Sequence, residues 1–205
     1  MSSAFLLLFV AGIVTSAPQT PPIKPSAEAV RARDAIADII LLQSIVPLKL
    51  RASQIDRLLP LMKAAQEEAV RQLKLDDEAL KTVEPFLTKL RTGAVSGTLP
   101  SADDEKKVAD TNAEMEKRFA EARRKAVADL LAVSIAVLDE TQKNEVQKQS
   151  DSLFGGKRVP KKYAANPSKA PRNEVEALAL AAYVERVLLI DRAIPLFESL
   201  RATAR

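Results

Sequence analysis

At 205 residues, with 47% hydrophobic, 28% charged and 4% aromatic residues, the chain suffices for one domain plus an appended segment. It contains no histidine and no cysteine, which excludes thiol and imidazole nucleophiles, histidine-bound zinc, iron–sulfur clusters, disulfides and lipidation at a cysteine. The formal net charge of +4 is a mild excess, so nucleic acid is not an expected partner.

Five glycines leave little material for hairpin turns, and the composition is dominated by good helix formers. These features predict an all-α fold: an elongated helical bundle with one long central helix and a C-terminal helix after a flexible linker.

In chain order, residues 1–17 read as a signal peptide. The uncharged run Ala4 to Val14 is too short to span a bilayer and is followed by Thr15-Ser16-Ala17. An uncleaved anchor is the alternative. Residues 18–25 hold four prolines, at 18, 21, 22 and 25, and read as a disordered leader. Ser26 then opens a helix with Val30, Ile36, Ile39 and Ile40 as its apolar members, ended by Pro47.

The next helix carries Ile55, Leu58, Met62, Ala65, Ala69 and Leu73 at steps of three and four. Pro60 either kinks it or moves its start to about Leu59. Asp76-Asp77-Glu78 opens a further helical stretch through Val83, Leu87 and Leu90, closed by Gly93 and Gly97. Ser101 and Asp104 form a capping pair for the longest uninterrupted pattern, Ala102 to Leu138. Its second half is apolar on more than one side, which predicts cover on more than one side. Asp139 and Gln142 form another capping box.

Residues 155–172 carry Lys157, Arg158, Lys161, Lys162, Lys169 and Arg172 with no acid among them, a basic flexible linker. It reads as a solvated tether, as a contact to an anionic surface, or as a protein-binding segment. Asn173 and Glu176 cap the last helix, 173–205, which kinks at Pro195.

Nothing in these patterns supplies a catalytic, cofactor or metal site. The acidic clusters at 76–78 and 103–105 fit first turns, where negative charge meets the positive end of the helix dipole.

Two segments place a leucine four residues ahead of a glutamine: Leu50-Arg51-Ala52-Ser53-Gln54 and Leu138-Asp139-Glu140-Thr141-Gln142. With the export-like N-terminus, this pair resembles the LTxxQ-motif family of Spy-like periplasmic chaperones, over roughly residues 46–152. In that family threonine usually follows each leucine. Asp139 keeps its capping role here, whereas Arg51 has no acceptor, so the first helix start moves to Ser53.

The resemblance implies a helical Spy-like domain at 26–154, a homodimer, and ATP-independent binding of unfolded proteins in the periplasm or outside the cell. It implies a mixed basic and apolar client surface, with Arg57, Met62, Lys63, Arg118, Phe119, Arg123 and Arg124 as candidates. The alternative function is an envelope adaptor that contacts anionic surfaces through residues 155–172. An enzyme has no residue pattern behind it.

Overall fold

The computed structural model describes residues 26–149 and 172–204; the expected signal peptide, the proline-rich leader and most of the basic linker lie outside the described residues. The described residues are mostly helical, with no strand among them. Two units are resolved: one ends at Ala35, and the other, Ile36–Arg205, contains the core.

Helix α1 spans Ala27–Ile45 and passes into a 3₁₀ turn, Val46–Leu48. Ser26 caps it, its Oγ accepting from the Ala29 N–H at 3.2 Å. Pro47 sits inside the 3₁₀ turn and Lys49 follows with a positive φ of 47°. That left-handed residue swings Leu50 and Arg51 into extended chain leading to α2, Ala52–Val95.

Burial on α1 differs from the expectation. Leu41 and Ile45 are buried, while Val30, Ile36, Ile39 and Ile40 are exposed. The helix is apolar on several sides, so periodicity did not single out the face that packs.

Two expected helices are one. Helix α2 runs unbroken for 44 residues, longer than the 36-residue α3, Ala102–Val137. Pro60 and Pro85 both lie inside it, and Asp76-Asp77-Glu78 fall mid-helix. An interior proline loses one backbone hydrogen bond and costs about 3 kcal/mol. Here both prolines are exposed, as are Asp56 and Lys81, the residues whose carbonyls lose a donor, so the loss falls on the solvent side of the helix. Packing along α3 offsets the remaining cost.

The α2–α3 turn ends in a paired backbone cap. The Thr98 N–H donates to Gly93 O at 2.8 Å and the Gly97 N–H to Ala94 O at 3.1 Å. Gly97 takes a φ of 91°, which only glycine adopts without strain. Beyond the turn, Ser101 and Asp104 form the expected capping box on α3.

Three cross-links show that α2 and α3 run antiparallel. Lys107 Nζ sits 4.3 Å from the Phe86 ring centre, Arg118 donates to Asp76 at 2.7 Å, and Gln54 Nε2 donates to Val137 O at 2.7 Å.

After α4, Glu140–Lys148, the described chain resumes at α5, Arg172–Tyr183. The expected cap at Asn173 lies outside the described side chains. A π-helical turn, Val184–Leu188, is closed by Leu189 N–H donating to Val184 O at 2.9 Å. Helix α6 is Ala193–Thr203. The C-terminal helix is therefore two helices, and Pro195 does not kink it. Proline belongs in a first turn, so the break falls upstream, at residues 189–192.

The C-terminal segment is part of the core rather than an appendage. Among the described residues it supplies ten of the twenty buried apolar side chains, including Tyr183, Val184 and Phe197. The rest come from Leu41, Ile45 and Leu48, the start of α2, the end of α3, and Val146. Ion pairs Lys63–Glu198, Arg192–Asp38 and Arg201–Asp56 fasten its rim. The wide apolar half of α3 meets its expected cover, with Leu130 buried and Val127, Leu131, Val133 and Val137 packed against the core. Leu73, expected on the core face of α2, is 61% exposed, because it lies beyond the reach of this cluster.

Replacing exposed Pro85 with Ala restores a backbone donor mid-helix. Pro85→Ala is expected to raise stability by about 1–3 kcal/mol, read as a higher urea midpoint at unchanged slope.

Candidate functional site

The two leucine–glutamine segments meet. Gln54 and Gln142 stand 88 residues apart in sequence and are 3% and 6% exposed. Their amides bond reciprocally: Gln54 Nε2 donates to Gln142 Oε1 at 2.7 Å, and Gln142 Nε2 to Gln54 Oε1 at 3.0 Å.

Each amide also reaches a backbone carbonyl across the junction. Gln54 Nε2 donates to Val137 O at 2.7 Å, and Gln142 Nε2 to Leu48 O at 3.0 Å. The remaining acceptor capacity serves each helix's own start: Gln54 Oε1 accepts from Arg51 N–H at 2.9 Å and Gln142 Oε1 from Asp139 N–H at 3.0 Å. Every donor of both amides is used, and each oxygen accepts twice. A fully satisfied polar network in a low-dielectric core fixes register more firmly than apolar contact alone.

The two helix starts differ as expected. Asp139 Oδ1 accepts from the Gln142 N–H at 3.0 Å, completing the box. Arg51 has the extended backbone of an N-cap, φ −76° and ψ 153°, but its guanidinium cannot accept, so only half the box forms. The helix nevertheless starts at Ala52, one residue before Ser53.

Farther along the hairpin, the α2–α3 seam is lined by Ala65, Ala122 and Ala126. One side of the seam forms a small cleft of about 70 Å³ against residues 188–194. The other side is open, a cleft of about 590 Å³ lined by both helices, including Gln72 and Arg118.

The candidate client residues do not form one surface. Met62, Phe119 and Arg123 line the small cleft. Met62 is only 2% exposed, so it is a core residue and cannot present itself to a client. Phe119 and Arg123 are exposed, and Arg123 donates to Glu185 O at 3.4 Å. Arg124 shares a shallow groove with Arg123. Lys63 turns to Glu198, and Arg57 is exposed away from both clefts.

Arg118 is half-buried, bridging Asp76 at 2.7 Å and Glu114 at 3.1 Å. Bonding to Asp76 raises its pKa further, so it stays charged. Glu68, in the same open cleft, accepts from Arg71 and from Gln72, which holds its carboxyl well below the ordinary range, at about 2.

Sequence reasoning missed Gln72 as part of this cleft and Asp76 as the partner of its Arg118. Spacing gave no signal for Gln72, and the acidic run drew Asp76 toward a helix start. Among the described residues no cluster of three or more acidic side chains is placed to hold a metal ion, and no helix is long and apolar enough to cross a membrane.

Arg51→Ser places an acceptor at a position already in N-cap geometry and is expected to stabilise the fold by about 1 kcal/mol in chemical denaturation. Gln142→Leu strands the Asp139 N–H, the Leu48 carbonyl and half of the Gln54 amide, and is expected to cost about 2–5 kcal/mol. In a double-mutant cycle, adding Gln54→Leu should cost far less than it does alone, since the partner is already lost. Compared with known proteins, the chain matches no family model, no curated protein and no solved structure.

Proposed function

We propose that this protein is an exported, ATP-independent, chaperone-like binder of unfolded polypeptide. The observation that carries the reading is the set of aliphatic side chains left in water on charged helices. Val70, Leu73, Leu75 and Leu80 are exposed on α2, and Ile36, Ile39, Ile40 and Val46 on α1 and its 3₁₀ turn. Single exposed leucines are ordinary, but several on one helix favour a binding role.

Scattered aliphatics bury little area each, so contacts with an unfolded chain are weak, non-specific and released without nucleotide. Charged neighbours such as Arg71 and Lys74 draw clients from a distance. The paired glutamine segments and the apolar run at residues 4–14 support a Spy-like, exported protein. The homodimer belongs to the same proposal.

A second reading is an envelope adaptor, favoured by the six unopposed cations at 157–172. Vesicles of anionic lipid separate the two. Salt-sensitive pelleting that is lost on neutralising those cations would favour the adaptor.

For the chaperone reading, light scattering of a chemically unfolded client without nucleotide should fall at stoichiometric amounts of protein. A variant with Val70, Leu73 and Leu80 changed to Ser should lose most of that protection while keeping its helical circular dichroism. Undiminished scattering with the unmodified protein would refute the reading.

A further inference from the structure

We propose that two copies of this chain meet along the solvent-facing stripe of α1, as a parallel, in-register helix pair. Ile36, Ile39, Ile40 and Val46 are 52–60% exposed, and Gln43 and Pro47 are exposed beside them. All of them belong to the unit that holds the core. Ile36 and Ile45 are about two and a half helical turns apart, so Ile36 points away from the core that buries Leu41 and Ile45.

A surface helix ordinarily turns its charged residues outward. Between residues 36 and 48 the one charged residue is Asp38, and it pairs with Arg192 of the C-terminal segment at 3.0 Å. No charge is left in the outward stripe. The exposed aliphatics of α2 differ, standing singly beside Arg71, Lys74 and Lys81.

Spacing and chemistry together point to a second copy. Ile36, Ile39, Gln43 and Val46 follow steps of three, four and three, the a and d positions of a helix-pair seam, with β-branched side chains at all but one. Gln43, the exception, carries an amide that both donates and accepts, so it can pair with its own copy across a two-fold axis. Gln54 and Gln142 pair in that way within the core. Parallel register sets Gln43 against Gln43, whereas an antiparallel pair would set it against isoleucine. With no charge in the seam, the two copies do not repel each other. The chain's own basic linker brings six cations, for which the stripe has no carboxylate.

An aliphatic side chain offers on the order of 100 Å² of apolar surface, about half of it free here, so each copy buries a few hundred Å². Standard interfaces bury about 800 Å² per partner, so this pair is weak and reversible, with a Kd on the order of 10 μM. The interface deepens the homodimer of the chaperone reading and rests on it. It assigns the α1 aliphatics to a second copy and leaves those of α2 for clients.

Sedimentation equilibrium of the full chain from about 1 to 500 μM is expected to show monomer and dimer in exchange. Ile39→Lys sets like charges opposite each other across the axis. It is expected to weaken dimerisation about a hundredfold and leave suppression of client aggregation unchanged. The chain has no cysteine of its own, so Gln43→Cys should give a disulfide-linked dimer under mild oxidation. Leu73→Cys, at another exposed position, should not.

A chain that stays monomeric at about 500 μM would overturn the interface. So would a dimer without the Gln43→Cys link, or equal linking through both cysteines. If Ile39→Lys stays dimeric but loses client protection, the stripe is a client surface, and the chaperone reading stands without this interface. A monomer that gives no protection overturns both. Circular dichroism identifies a variant that fails to fold, and the cross-linking pair then decides.

Discussion

The interlocked amides of Gln54 and Gln142 set the geometry on which the rest of the molecule depends. They join the 3₁₀ turn after α1, the start of α2 and the α3–α4 junction through backbone carbonyls as well as through each other. A one-residue slip of either helix start would leave amide groups unpaired in a core where Ile55, Leu130 and Val146 are fully buried. Apolar packing alone tolerates such slips far better, because Leu and Ile contacts are non-directional. The glutamines therefore choose one register among several that the aliphatic pattern would accept.

From that junction the character of the α2–α3 hairpin changes along its length. Near Gln54 the two helices share a core with the C-terminal segment. Past Ala69, among the described residues, they pack on each other, and the cross-links include Asp76–Arg118 and the Lys107–Phe86 contact. Partly exposed ion pairs contribute about 0–1 kcal/mol each, and an exposed cation–π contact about 0.5–1 kcal/mol. The far half is thus the part of the hairpin with the lowest cost of local opening. It also carries Leu73 and Leu80, two of the exposed aliphatic side chains on which client binding is proposed.

Local chemistry was legible in the sequence, and long-range pairing was not. The boxes at Ser101–Asp104 and Asp139–Gln142 span three residues, so their geometry follows from helix dimensions alone. The defect at Arg51 was equally readable, since guanidinium has no lone pair to offer. By contrast, a leucine–glutamine segment gives no sign that its amide will find another one 88 residues away.

Breaker residues misled for the same reason. Pro60 and the 76–78 acids are local boundary signals, and an exposed helix face packed along a partner overrides them. On α1 the isoleucines at 36, 39 and 40 are the more hydrophobic set, yet Leu41 and Ile45 are buried. Which stripe of an all-round apolar helix packs is decided by its partners.

A protein that leaves aliphatic groups in water must keep its own fold from competing for them. Here the core is closed at one end by ten C-terminal side chains and by directional amide bonds. Leu73 and Leu80 lie about five and seven helical turns beyond Ile55, on its side of α2 but past the end of the core cluster. The exposed stretch is therefore left open by the length of the hairpin beyond the core. Contact with another polypeptide becomes the cheaper way to cover it, which links the register fixed by two glutamines to the surface on which function is proposed.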